Sequence, residues 1–288
     1  MSKYELDRAT SRANPTPQPL RRLTVPKIRA RKEGGVTKEP IVMLTAYTAR
    51  QAQLLDEHCD ILLVGDSLGQ VIYGLPTTIP VTLDMMANHA AAVVRGSYHS
   101  VVVVDMPFGS YESSPQQAFE SASALLKASG AAAVKLEGGE AMASTVDFLV
   151  NRGIPVMGHV GLTPQAVNVL GGYAARGRNG AEAEKIVGDA RALCAAGAFA
   201  IVIEGVVEPI AIAVTEAVEC ITIGIGASSR CDGQVLVTDD MVGMFERVPR
   251  FVKRYEEISG LISAAAARYA ADVRNRDFPG PQQTYQAD

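Results

Sequence analysis

Three short apolar runs in this chain each exit into a carboxylate. Leu62-Leu63-Val64-Gly65 leads into Asp66 and Ser67, Val101 to Val104 leads into Asp105, and Ala132 to Leu136 leads into Glu137. Continuous Val, Leu and Ile runs of this length are the pattern of strands buried on both faces, where an unpaired charge is costly. Acids at three such exits therefore point to a place where charge is used. Hard oxygen donors gathered without a Cys/His cluster suit Mg²⁺ better than zinc.

Other polar residues follow the same rule. Lys135 shares a strand face with Glu137, His159 ends the run Ile154 to Val160, Glu204 ends Ala198 to Ile203, and Asp232 and Gln234 follow the seventh run. Each has a structural alternative. Asp66 can cap a helix, Asp105 can hold a turn before Met106-Pro107, Lys135 and Glu137 can be an ion pair, and His159 can be a satisfied core histidine. The chemical reading is more specific. A divalent cation held by carboxylates beside a lysine can chelate a 2-oxo acid through its ketone and carboxylate oxygens and stabilise an enolate. Glu204, which burial behind such an apolar run would tune towards neutrality, is the candidate base for the adjacent C–H proton. No GxGxxG fingerprint or Walker loop is present, which argues against hydride and phosphoryl transfer.

These residues need elements to carry them. Strand-like runs at 40–46, 61–66, 100–106, 132–137, 154–160, 198–205, 220–226 and 234–238 alternate with helix-like segments. That alternation implies parallel pairing, and an α/β fold of the (β/α)₈ TIM-barrel kind is the leading eight-strand solution. In such a barrel the C-terminal strand ends face the active-site mouth, the end at which these residues fall. Ser114-Pro115 and Gly130 punctuate a helix over 115–129, Gly153 ends one over 140–152, and Gly197 ends one over 181–196. The segment 241–274 is expected to be helical, closing the barrel or leaving it for a neighbour.

With 288 residues, 48% of them hydrophobic, one large core can be buried. A single domain over 25–275 is expected, flanked by a polar, proline-bearing tail at 1–24 and a second tail at 276–288. Lys+Arg of 27 against Asp+Glu of 31 leaves no basic block for nucleic acid, and no apolar run is long enough for a membrane span. Small-molecule partners remain. The scattered Cys59, Cys194, Cys220 and Cys231 match no zinc or CxxC spacing, so reduced thiols in a cytoplasmic protein are expected.

From TVPKIRARK near residue 24 to about residue 256 the chain resembles the ketopantoate hydroxymethyltransferase family. The likeness runs in order through MLTAY, LLVGDSLGQVIYG, TTIPVTLDMM, DMPFGSY, AVKLEGG, IPVMGHVGLTPQ, LGGY and CDGQVLV. The resemblance implies a TIM barrel of the phosphoenolpyruvate/pyruvate type, assembled as a homodecamer. It also implies hydroxymethyl transfer from 5,10-methylenetetrahydrofolate to 3-methyl-2-oxobutanoate, giving 2-dehydropantoate for pantothenate synthesis. By motif match it assigns Asp66, Asp105 and Glu137 to Mg²⁺, Glu137 through water. Asp66, Ser67, Asp105, Lys135 and His159 fall to the oxo-acid pocket, and Glu204 to the proton acceptor.

Two departures stand out. The family's TAYD is here Ala46-Tyr47-Thr48, and the glycine that usually follows GIGA is Ser228, which a positive φ would strain, so that loop is expected to differ in shape. Two other readings use the same residues. One is a Mg²⁺-dependent oxo-acid lyase or mutase of the barrel superfamily, whose usual Lys-Cys-Gly-His loop is missing here. The other is a non-catalytic oxo-acid-binding relative.

Overall fold

The computed structural model describes residues 21–33 and 36–285. Most of the expected 1–24 tail and the last three residues lie outside them. Eight parallel strands close into a barrel: β1 (Ile41–Thr45), β2 (Ile61–Val64), β3 (Val101–Asp105), β4 (Ala133–Lys135), β5 (Val156–Gly161), β6 (Ala200–Glu204), β7 (Ile221–Ile225) and β8 (Gly233–Leu236). Each pairs in parallel with its neighbours in sequence, and β8 closes on β1 through Gly233 opposite Ile41 and Leu236 opposite Leu44. All eight expected runs form strands.

The strand ends differ where the chemistry sits. β2 stops at Val64 and β4 at Lys135, so Asp66 and Glu137 each lie two residues beyond the ladder. His159 lies inside β5, opposite Val202, rather than at its end. Alternation then fixes what points inward. Val101, Val103 and Asp105 share one face of β3, as do Ala133 and Lys135 on β4, Met157 and His159 on β5, and Ala200, Val202 and Glu204 on β6. The lower members of these sets join Ile41, Met43, Ile61, Ile221 and Ile223 in one buried interior cluster. Ile28, fully buried on the short helix Val25–Arg29, joins the same cluster and plugs the barrel bottom. A barrel stoppered by aliphatic side chains leaves its opposite mouth as the place for polar work.

The outer layer follows the expected punctuation. The helix Pro115–Ser129 starts where Ser114 accepts from the Gln117 N–H and ends at Gly130 with φ +75°. The helix Gly180–Ala195 is capped by Asn179, and the helix Leu83–Gly96 by Thr82. Thr48 caps the helix Ala49–Leu55 by accepting from Gln51 N–H, so the first departure keeps a capping oxygen.

Three expectations change. The connection 226–232 between β7 and β8 carries no helix. Asp232 therefore lies at the entry to β8, on the barrel bottom. There it pairs with buried Lys32 at 2.9 Å and accepts from Thr222 N–H and Oγ1, a structural role. The segment 242–257 is irregular, interrupted by Gly243 at φ +72° and Pro249, and the helix begins only at Ile258 and runs to Asn275. Ser228 avoids the positive φ that would strain it. Gly226 takes that conformation at φ +58°, and among the described residues Arg276 is the only non-glycine with positive φ.

Candidate active site

The barrel mouth brings all seven candidate residues onto one cavity of about 1100 Å³. On one wall, Asp105 Oδ2 accepts the backbone N–H of Asp66 at 3.0 Å, which ties the end of β3 to the turn after β2. Asp105 Oδ1 lies 3.1 Å from Lys135 Nζ but makes no aligned hydrogen bond. Both carboxylates are almost fully buried. Burial and the charge of Glu137 push Asp66 up to about 6 against a smaller pull from Lys135. Burial also raises Asp105 to about 6, with Lys135 pulling down and Asp66 pushing up. For Lys135, burial opposes the charge, and the attraction of Asp105, Glu137 and Asp66 outweighs it. Its ammonium is therefore held above the ordinary lysine value.

His159 stands between two acids. Its Nδ1 is 3.3 Å from Lys135 Nζ and 3.5 Å from Glu137 Oε1, and its Nε2 is 3.3 Å from Glu204 Oε2. Burial and Lys135 disfavour the imidazolium, but Glu137 and Glu204 overcome them and lift His159 to about 9. Glu204 is less buried than expected. Its side chain is 18% exposed against 3% for Asp105, so its carboxylate faces the open cavity with His159 behind it. Gly161 lets the ends of β5 and β6 close up here: at φ +92° a Cβ there would fall 2.5 Å from the backbone Glu204 O. Ser67 Oγ lies 2.9 Å from the hydroxyl of fully buried Tyr47, whose pKa burial pushes far up, so the phenol stays protonated.

Among the described residues no three His, Cys, Asp or Glu are gathered tightly enough to enclose a metal ion. Mg²⁺ does not need such a cage, because it usually keeps several waters and takes only one or two protein carboxylates. Asp105 Oδ1, buried without an aligned hydrogen-bond partner and beside a second acid, is the kind of oxygen a cation would satisfy. The residues present therefore fit the ion.

Two side chains here were passed over in the sequence. Gln165, on the turn after β5, and Tyr111, after β3, are buried among the acids and hydrogen-bonded to one another. Gln165 stands in the motif GLTPQ, where Thr163-Pro164 starts a helical turn directly after a strand, but an amide has no charge to draw attention.

The profile of the ketopantoate hydroxymethyltransferase family matches residues 22–281. The chain belongs to that family. A 3-methyl-2-oxobutanoate hydroxymethyltransferase from Novosphingobium aromaticivorans is 79% identical over 98% of both chains. Its namesake from Erythrobacter litoralis is 80% identical over the same shares, and that from Rhodospirillum rubrum is 60% identical over 92% of this chain and 95% of its own. Among solved structures, a phosphonopyruvate hydrolase aligns over 92% of each chain with TM-score 0.59 and 12% identity. A 2,3-dimethylmalate lyase of the PEP mutase/isocitrate lyase superfamily covers 91% of this chain and 93% of its own, with TM-score 0.55 and 15% identity. At such identities the likeness concerns the barrel fold, which this family shares.

Proposed function

We propose that this ketopantoate hydroxymethyltransferase family member transfers a hydroxymethyl group from 5,10-methylenetetrahydrofolate to C3 of 3-methyl-2-oxobutanoate. One water is consumed, and 2-dehydropantoate and tetrahydrofolate are released. The observation that carries the reading is the division of the mouth. Two buried acids and a lysine ammonium lie on one side, and Glu204, more exposed than Asp66, Asp105 and Glu137, lies across His159.

Asp66 and Asp105 would hold Mg²⁺, with Glu137 reaching it through water. When bound, the ion supplies Lewis acidity at the ketone and carboxylate oxygens of the oxo acid. Lys135 neutralises the charge of the substrate and of the oxyanion developing at its ketone. Ser67, fixed by Tyr47, donates to the substrate carboxylate. Glu204 takes the C3 proton, and the electrons of that C–H bond pass to the C2–C3 bond, leaving C3 as a nucleophile for the one-carbon unit. His159, 3.3 Å from Glu204, aims its carboxylate and stands between it and the acids opposite. The cavity is far larger than a five-carbon acid, which leaves room for the folate near Tyr173, Arg250 and Phe251.

The active unit is a single catalytic domain over 25–275. A homodecamer is what the family resemblance implies, and the helix Ile258–Asn275, which has no buried residue and exposes Leu261, Ile262 and Tyr269, offers a surface for a neighbouring copy. A cytoplasmic location is supported by four free thiols among the described residues, and no helix there is long and apolar enough to cross a membrane. The test is a product assay with Mg²⁺, oxo acid and methylenetetrahydrofolate. Formation of 2-dehydropantoate is expected, and no product from folded protein would overturn the reading.

A further inference from the structure

The acids at the mouth come from three different strand exits, and nothing in their own loops requires them to converge. One residue touches all three exits. Gln165 Nε2 donates to Asp66 Oδ2 at 2.9 Å and to Met106 O, directly after Asp105, also at 2.9 Å. Its backbone N–H donates to Glu137 Oε2 at 3.0 Å. Its Oε1 accepts from Tyr111 OH at 2.6 Å, and the same phenol oxygen accepts the Glu137 backbone N–H at 3.2 Å. Because Nε2 faces a carboxylate and a carbonyl while Oε1 faces a hydroxyl, only one orientation of the amide satisfies all partners.

We infer that Gln165, with Tyr111 behind it, is a positioning residue that aims Asp66 and Glu137 at one cation and so sets the metal affinity of the site. The inference rests on the Mg²⁺ reading above. Gln165 is 5% exposed and Tyr111 2%, so neither amide nor phenol has water to fall back on, and the pair is held in place by the bonds just described. These bonds fix one side of each of two buried acids. Asp66 is held through one carboxylate oxygen, and Glu137 through one carboxylate oxygen and its own backbone. Partners of this kind, which orient a ligand without touching the ion, typically change metal affinity or activity about 10- to 100-fold when removed.

The test is Mg²⁺ titration calorimetry on the full chain. Gln165→Met keeps the length of the side chain and removes its bonds to Asp66, Met106 and Tyr111, while the backbone N–H to Glu137 stays. Its Mg²⁺ Kd is expected to rise by about 10- to 100-fold. At saturating Mg²⁺, kcat should recover while the Mg²⁺ requirement stays shifted. Tyr111→Phe, which loses both the bond to the amide and the acceptance of the Glu137 N–H, should shift Kd in the same direction by less. A Gln165 with a merely structural role would lower Tm and leave the Kd of the folded protein unchanged, and that result overturns the inference. If wild-type protein binds no Mg²⁺, the metal reading falls and this inference with it. If wild type binds and the variant equals it, only the role of Gln165 falls. Should Gln165→Met not fold, Tyr111→Phe decides alone, unchanged affinity again being the overturning result.

Discussion

Lys135→Met removes the ammonium beside Asp105 and Asp66 and leaves a side chain of similar length. Asp105 Oδ1 lies 3.1 Å from Lys135 Nζ. At an effective dielectric of about 20, opposite unit charges at that distance attract by about 5 kcal/mol. Removing one partner of a buried pair costs about 3–5 kcal/mol, much of it the burden of the charge left behind. At about 2–4 °C per kcal/mol for a domain of this size, Tm in EDTA should fall by roughly 6–20 °C. A cation seated on Asp66 and Asp105 replaces the missing charge, so saturating Mg²⁺ should raise Tm more in the variant than in wild type. The KM for the oxo acid should rise about tenfold or more, on the scale of a lost charged hydrogen bond of about 1.5–3 kcal/mol. Differential scanning calorimetry with and without Mg²⁺, followed by steady-state kinetics, reads both effects. A variant as stable as wild type in EDTA would refute the claim that Lys135 neutralises these acids.

Two further predictions concern the scaffold. Asp56, 7% exposed, accepts from Ser97 Oγ at 2.7 Å and from the N–H groups of Tyr98, His99 and Ser100 at 2.7–2.9 Å, bracing the approach to β3. Burial opposes its charge, but these bonds prevail and hold its carboxyl below the usual value. The stability it confers is therefore fully present above the unfolded pKa of about 4 and is lost as pH falls through the lower folded value. Asp56→Asn should cost about 2–4 kcal/mol at neutral pH by urea unfolding, with the deficit shrinking below about pH 4. A deficit independent of pH would show that the charge is idle. At Gly96, a Cβ would fall 2.2 Å from Ala49 O, between two helices. Gly96→Ala should destabilise by about 1–3 kcal/mol or more while sparing KM in the folded fraction, and an unchanged urea midpoint would contradict the close approach.

Much of the barrel was legible because its signals are local. Eight apolar runs mark eight strands, and Ser114, Gly130 and Gly197 mark helix ends through their own backbone chemistry. The acids were legible for a related reason: a charge at the end of a buried strand stands out against its neighbours. What stayed hidden depends on partners far away in sequence. Asp232 looked like a mouth residue because it follows β7, yet its partner Lys32 lies on the barrel bottom, which only the helix-free connection reveals. The partial exposure of Glu204 depends on the cavity around it. Gln165 is neutral and becomes conspicuous only once Asp66, Met106, Glu137 and Tyr111 surround it. The end of the barrel was misjudged by propensity, since the Ala- and Glu-rich composition of 241–274 hides the interruption at Gly243 and Pro249.

The central claim is that Glu204 removes the C3 proton of the oxo acid in a Mg²⁺-dependent site. The direct measurement is nuclear magnetic resonance of 3-methyl-2-oxobutanoate in D₂O with enzyme and Mg²⁺ and without folate. Wild-type protein should exchange the C3 proton for deuterium, and either EDTA or Glu204→Gln should stop the exchange. Exchange that survives both would contradict the assigned base and the assigned metal together.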